Sequence, residues 1–187
     1  SVDPSVLSVL DLDSFKDDLF LTLRRSTSQS SYLLSFNDLS RGNVGSTTTS
    51  LVSPTVYDNV MNSVSQDRNI LAVGSSYYIS FWNFNVNSRN IVSSISPVFN
   101  SPARNNLVFI NSFGLGNFID FDLSKSGNVV VTAEHLFSPS SNVLNFWDIS
   151  VLNSPVKTNY VYTFSNSFTP TKVAFIDNDR VLVAVNA

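Results

Sequence analysis

The sequence predicts an all-β fold built from repeated four-stranded units, and three observations lead to that prediction. A seven-residue pattern (apolar, small polar, Phe, ring or amide, Asp or Asn, apolar, small polar) occurs at 144–150, at 79–85 and, more faintly, at 34–40. Short β-branched and aromatic runs alternate with turn-forming Gly, Pro, Asn, Asp and Ser. No segment keeps an apolar stripe of helical period over three turns, so we expect almost no helix.

The first unit contains four predicted strands. They fall at 6–12, 19–23, 32–40 and 47–52. Charged residues at 16–18 separate the first two strands, a polar loop at 26–31 precedes the third, and glycines within 42–45 turn the chain before the fourth. Pro54 halts the fourth strand, because proline has no N–H to donate to a sheet.

The second unit repeats this order. Its predicted strands fall at 57–64, 70–73, 77–81 and 91–95. A polar break at 65–69 separates the first two, residues 74–76 form a hairpin signal, and Pro97 halts the fourth strand. An insert with one strand-like run at 107–110 then precedes the third unit.

The third unit is the clearest, and a fourth unit begins after it. The third unit has predicted strands at 118–123, 129–133, 144–148 and 160–164, with a turn at 124–128 and a loop at 137–142. The fourth has predicted strands at 173–176 and 181–185, joined by a turn at 177–180. We therefore expect about three four-stranded units and the first two strands of another.

Four antiparallel strands per cycle, with Phe36 and Phe81 about one blade apart, match a β-propeller, whose blades have roughly 40 to 50 residues. A β-sandwich or jelly roll is the alternative fold. We predict one all-β domain over 1–187 that is part of a larger propeller. Its predicted blades are 5–56, 57–99, 117–168 and an incomplete 171–187, with an insert at 100–116. The last sheet would then expose an edge that further sequence or another chain completes.

The second and third units resemble repeats of the WD40 family. The resemblance lies in Trp147-Asp148, preceded by the strand at 129–133, and in 71–75 followed by Phe81-Trp82-Asn83, and it covers most of 57–151. The Gly-His pair of that family is absent here, since His135 follows the second strand of its unit. The runs after Asp148 also resemble propeller repeats of bacterial surface and periplasmic proteins. Both resemblances imply propeller blades.

The composition limits the classes of partner and the cellular setting. The formal net charge is −3 and only 13% of residues are charged, so the chain lacks the clustered Lys and Arg that nucleic acid needs. No run approaches the roughly 18 apolar residues that span a bilayer, so we expect no membrane insertion. There is no cysteine and no Asn-x-Ser/Thr site. The lack of cysteine leaves the redox compartment open, and the lack of glycosylation sites argues against a eukaryotic secretory setting without excluding a bacterial surface. We expect an intracellular location in preference to a bacterial surface.

The polar residues do not form a pattern typical of an active site or a metal site. His135 and Glu134 are adjacent on a predicted strand and so point to opposite faces, and no second His or any Cys completes a site. Asp120 and Asp122 alternate within a strand, while Asp177 and Asp179 sit at a turn, and neither pair fits a calcium loop. We interpret these carboxylates as closing turns. We predict no catalytic residue, no metal and no cofactor.

Aromatic side chains are the predicted binding residues. Tyr77, Tyr78, Trp82 and Trp147 are candidates for protein contacts, because Tyr and Trp are enriched at interface hot spots. The sequence thus predicts a non-enzymatic scaffold that binds protein partners, which include a chain that completes the unfinished blade. The alternative is a structural surface or particle protein, either a bacterial surface propeller or a viral coat-type protein, as the Ser/Asn-rich, Lys-poor composition allows.

Overall fold

The computed structural model describes residues 6–16, 19–26, 32–38, 47–51, 61–65, 67–86, 92–98, 109–112, 115–165 and 167–186. Within these ranges, side chains are described from residue 61 onward except at 86, 92, 93, 97 and 109. Every regular element in these ranges is a β-strand. The predicted turn at 42–45 and the beginning of the predicted strand at 57–64 lie outside the described residues.

The strands form four antiparallel sheets in chain order. Sheet 1 contains β1 (Val6–Lys16), β2 (Leu19–Ser26), β3 (Tyr32–Asp38) and β4 (Thr47–Leu51). Sheet 2 contains β5 (Met61–Ser65), β6 (Ile70–Gly74), β7 (Tyr78–Val86), β8 (Val92–Pro97) and β9 (Phe109–Asn111). Sheet 3 contains β10 (Gly116–Leu123), β11 (Val129–Phe137), β12 (Ser140–Asp148) and β13 (Val156–Thr163). Sheet 4 contains β14 (Thr169–Phe175) and β15 (Val181–Asn186).

The arrangement of the first strands identifies these sheets as blades of a β-propeller. β1 lies beside β5, β5 beside β10, and β10 beside β14, so the first strands of successive sheets are neighbours. Each sheet then runs outward as a simple meander. Phe36, Phe81 and Phe146 all lie on the third strand of their sheets. The predicted all-β class and its propeller blades are confirmed.

Apolar side chains fill the spaces between sheets. One cluster joins sheets 2 and 3 and includes Ile70, Phe81, Phe118 and Val130. A second, smaller cluster joins sheets 3 and 4 around Val131, Leu144 and Val173. Each sheet packs one face against each neighbouring sheet. Burial of apolar surface between the sheets contributes about 25 cal/mol per Å² removed from water and so stabilises the whole stack.

A β-bulge explains why β10 does not follow the simple alternation that its sequence predicts. Phe118 pairs with Glu134 and Asp120 pairs with Ala133, so one extra residue is accommodated between them. Without it, Phe118 and Phe121, three positions apart, would point to opposite faces. With the bulge, both rings enter the cluster between sheets 2 and 3.

Three other local predictions differ from the structure. The predicted loop at 137–142 is a tight hairpin, because β11 runs to Phe137 and β12 begins at Ser140 with continuous pairing. β7 does not end at Phe81, as the predicted strand at 77–81 does, but continues to Val86, and within this continuation Phe84 is buried and pairs with Ile95. The strand of the insert, β9, does not stand apart from sheet 2. It pairs with Tyr78–Ser80 along the same edge of β7 that β8 occupies further on.

Gly74 marks a close approach between sheets 2 and 3. A Cβ atom at this position would lie 2.5 Å from Cε1 of Phe121, a ring that is almost fully buried. We expect Gly74→Ala to lower the free energy of unfolding by about 1–3 kcal/mol, because the packed ring cannot move aside freely. Chemical denaturation measures this loss.

The Phe121→Leu background provides the control for this clash. Leucine has no atom at the Cε1 position. Gly74→Ala should therefore lower the free energy of unfolding clearly less in that background than in the original chain. Equal costs in the two backgrounds would show that the Phe121 ring is not what excludes a side chain at residue 74.

Candidate binding site

Side chains on the first strands connect sheets 2, 3 and 4. Ser63 on β5 accepts a hydrogen bond from the backbone N–H of Leu123 at 3.0 Å and donates one to Oδ1 of Asp122 at 2.5 Å. Oδ2 of Asp122 accepts the N–H of Phe175 on β14 at 2.7 Å. A single carboxylate thus bridges three consecutive sheets.

Asp120 makes a second connection between β10 and β14. Its Oδ2 accepts the N–H of Val173 at 2.8 Å, and its Oδ1 lies 3.1 Å from the ammonium of Lys172. The N–H groups of Val173 and Phe175 point away from β15, so they would otherwise be unpaired on the inner edge of sheet 4. The two aspartates therefore take the place of a neighbouring strand.

Burial raises the pKa of Asp120 and Asp122 above the ordinary aspartate value of 3.8, although hydrogen bonds to Val173, Phe175 and Ser63 oppose that rise. These contacts show that the turn-closing interpretation of this pair is wrong. Carboxylates do close turns elsewhere. Hydrogen bonds from the hydroxyl and the backbone N–H of Ser150 lower the pKa of Asp148, and hydrogen bonds from Arg180 and Asp179 lower the pKa of Asp177.

Arg68 connects sheet 2 to sheet 3 at one end of the space between them. It lies on the turn between β5 and β6, and its Nη1 donates to the carbonyl oxygens of Gly127 at 2.9 Å and Ile149 at 3.1 Å. Gly127 has a φ of +67°, a left-handed conformation that glycine adopts without strain. The guanidinium thereby holds two loops of sheet 3 to sheet 2.

Trp147 takes part in a buried hydrogen-bond chain within sheet 3. Its indole N–H donates to the hydroxyl of Thr132 at 3.1 Å, and that hydroxyl donates to the carboxylate of Glu134. Thr132 and Glu134 are buried. His135 is not part of this chain, because its Nδ1 bonds Asn142 instead. The indole and carboxylate therefore fix the face of sheet 3 that packs against sheet 2.

The four aromatic residues predicted to bind protein do not converge. Trp82 is 9% exposed and its indole bonds Ser80, while Trp147 is half-buried at the equivalent place on the next sheet. Tyr77 and Tyr78 are half-buried at the hairpin between β6 and β7, near the opposite strand ends. Burial leaves Trp82 little surface to offer a partner. Binding by any of the four stays a prediction.

An open cleft of about 580 Å³ lies between sheets 3 and 4, and we call it the His135 cleft. It is lined by Asn117, Ile119, His135, Ser140, Ser141, Asn142 and Thr169. His135 and Asn142 face each other across β11 and β12. Sequence reasoning missed this site because the predicted loop at 137–142 hid that pairing. The local signal available was the unbroken strand propensity on both sides of Pro139.

Exposed aromatic residues lie on the outer strand of sheet 3. The exposed fractions of Tyr160 and Tyr162 are 73% and 55%. The ring of Tyr160 packs edge-on against Phe146 at 5.5 Å, and that of Tyr162 packs similarly against Phe164 at 5.0 Å. Phe146 and Phe164 also border the apolar cluster between sheets 3 and 4. We call Tyr160 and Tyr162 the aromatic strip.

Two further features concern only the part of the chain that the structure describes. There, no three His, Asp or Glu side chains come close enough together to hold a metal ion. Within the same ranges there is also no helix of the length and apolarity needed to cross a membrane.

Comparison with known proteins gives limited similarity. No protein-family model matches the chain, and a search of curated proteins gave no match. Among solved structures, the chain is similar to the β-propeller domain of Myceliophteria thermophila Cps50 (Swd1), with 11% identity and a TM-score of 0.48. The similarity covers 95% of this chain and 64% of that one, so the chain spans less than two thirds of its length. The propeller class rests on the sheet arrangement described above.

The raised pKa of Asp122 predicts how the free energy of unfolding depends on pH. Because the folded chain holds this proton more tightly than the unfolded chain, the free energy of unfolding should fall as pH rises from 3.8 toward the raised pKa. Asp122→Asn removes that titration, so the fall should be shallower, by at most about 1.4 kcal/mol per pH unit. Denaturation at a series of acidic pH values measures the slope.

At neutral pH we expect Asp122→Asn to be less stable by about 1–3 kcal/mol, since an amide has one acceptor oxygen where Asp122 uses two. Asp179→Asn, at an exposed position, is the matched control for stability at neutral pH and should change the free energy of unfolding by less than about 0.5 kcal/mol. An unchanged slope in Asp122→Asn would contradict the assignment of this titration to Asp122.

Proposed function

We propose that this protein is a non-enzymatic scaffold that binds protein partners through its propeller blades. The observation that supports this most directly is the aromatic strip, which exposes large aromatic area beside the uncovered outer half of sheet 3. Exposed apolar patches of this kind are typical of interaction surfaces, and tyrosine is enriched at their energetic centres. The hydrogen-bonded first strands would hold such a surface in a fixed geometry.

We propose that added strands pair with β15 and cover the aromatic strip. Among the described residues β15 pairs only with β14, so its outer edge offers backbone N–H and C=O groups to another strand. The space between sheets 2 and 3 can be compared with the space between sheets 3 and 4. Phe81 is fully buried in the first of these, whereas Phe146, at the equivalent position, is only half-buried. Strands added to sheet 4 would bury Phe146 as sheet 3 buries Phe81.

The proposed domain organisation follows from the same surfaces. Residues 1–187 form one all-β domain of a larger propeller, with blades at 5–56, 57–99, 117–168 and 171–187 and an insert at 100–116. Leu182 and Ala174 are exposed on the face of sheet 4 that points away from sheet 3, as a further neighbouring sheet would require. Tyr77, Tyr78 and Trp147 offer additional partial surface to protein partners.

Photo-crosslinking tests the aromatic strip. Tyr160 is replaced by benzoylphenylalanine, which keeps an aromatic side chain at a position that is 73% exposed. On irradiation of the full gene product in its native cell, we expect one defined crosslink whose far end maps by mass spectrometry to an extended, alternately apolar segment. The mass of the product distinguishes a segment of the same polypeptide from a separate protein partner.

Val151, which is 60% exposed and lies after β12, is the matched control position and should give no such crosslink. Tyr162→Lys in the same chain should reduce the crosslink from residue 160, because it places a charge in the apolar contact. Equal crosslinking from residues 160 and 151 would contradict the proposal. Recovery of the crosslink between identical copies in a regular assembly would instead favour the structural surface or particle protein.

A further inference from the structure

The His135 cleft has an uncharged polar lining beside the exposed phenyl ring of Phe137. None of its seven lining residues is Asp, Glu, Lys or Arg, and Ile119 is the only apolar one. Phe137, half exposed, packs edge-on against the imidazole of His135 with ring centroids 6.0 Å apart. Phe168, 40% exposed, lies on the segment that follows sheet 3 and contacts Asn142. The cleft therefore suits a neutral ligand with polar groups and some apolar surface.

The hydrogen bonds of Asn142 fix the tautomer of His135. Nδ2 of Asn142 donates to the carbonyl oxygen of Phe168 at 3.0 Å, so the amide oxygen is the atom that faces His135. That oxygen lies 3.0 Å from Nδ1 of His135. Since an amide oxygen can only accept, Nδ1 must carry the proton. In the neutral ring Nε2 then offers a lone pair, and it has no hydrogen-bond donor within the described residues.

Two other lining side chains have unused hydrogen-bonding capacity. The amide of Asn117 and the hydroxyl of Ser140 make no side-chain hydrogen bond within the described ranges, although both border the cleft. A side-chain amide carries a donor N–H and an acceptor oxygen side by side, so Asn117 can form two reciprocal hydrogen bonds with the N–H and C=O of one extended residue, which point to the same side of its strand. With Nε2 of His135 as an acceptor and the hydroxyl of Ser140 as a donor or acceptor, the cleft thus offers several uncharged hydrogen-bonding groups to a ligand.

We propose that the His135 cleft binds an extended, uncharged peptide segment that carries a large apolar side chain. One main-chain N–H of the peptide donates to Nε2 of His135, the N–H and C=O of another residue pair with Asn117, and the apolar side chain packs against Phe137. A saccharide could use the same hydrogen bonds, but it has no large apolar side chain to pack against the Phe137 ring. The proposal rests on the proposed protein-binding function. Its site differs from the aromatic strip, so the two can fail separately.

Because His135 is the only histidine, its imidazole gives a single reporter in nitrogen-15 NMR. At neutral pH we expect the free chain to show the tautomer with a protonated Nδ1. The probe is a pool of N-acetylated, C-amidated tetrapeptides, each with one large apolar residue and no charge. These peptides should shift the Nε2 resonance saturably, and Asn117→Ala should weaken their binding about five- to tenfold.

The control variant is Asn159→Ala, which removes an exposed asparagine outside the cleft and should leave peptide binding unchanged. Peptides with a central Asp should bind at least tenfold more weakly, since the lining has no cation to pair with a carboxylate. The proposal is overturned if Nε2 is the protonated nitrogen, if the neutral peptides cause no saturable shift, or if maltotriose shifts the resonance and the peptides do not.

Discussion

The inner edges of the first strands impose the constraint on which this fold depends. The first strands of successive blades lie side by side but belong to separate sheets. The backbone N–H groups on the inner edge of each first strand therefore have no partner strand in their own sheet. Ser63, Asp120 and Asp122 satisfy these groups from the preceding sheet. The hydrogen bonds are charge-assisted at two of these three positions, and burial raises both carboxylate pKa values. Each sheet therefore needs its neighbour for polar as well as apolar reasons.

The space between sheets 2 and 3 and the space between sheets 3 and 4 are closed in different ways. Between sheets 2 and 3 the apolar cluster is large, and Arg68 closes one end of it through two backbone carbonyl groups. Between sheets 3 and 4 the apolar cluster is smaller, and one end opens into the His135 cleft. The same repeated architecture thus yields a tightly closed junction and an accessible one. At the accessible junction, Asn142 connects sheet 3 to the segment that leads into sheet 4, because it hydrogen-bonds both His135 and the carbonyl oxygen of Phe168.

The sequence was informative where structure depends on local pattern. The recurring Phe and the strand runs indicated the third strands of sheets 1, 2 and 3, because burial of one face imposes alternation along a strand. It was uninformative where a contact joins distant positions. The hydrogen bond from Phe175 to Asp122 has no local signature, so turn closure was the natural interpretation of that aspartate. The bulge in β10 and the continuation of β7 through Phe84 likewise depend on what packs against them. The His135 cleft, too, exists only through tertiary contact.

In the function proposed above, low charge would give the two candidate surfaces complementary roles. Removing neutral amides and hydroxyls from water costs far less than removing ionised groups, so a cleft without carboxylates or cations can close around an uncharged ligand at small cost. Its hydrogen bonds are directional and would select the ligand. The aromatic strip and the edge of β15 instead offer area and repetitive backbone pairing, which favour affinity over selectivity. A scaffold with both can hold one partner firmly while it discriminates among others.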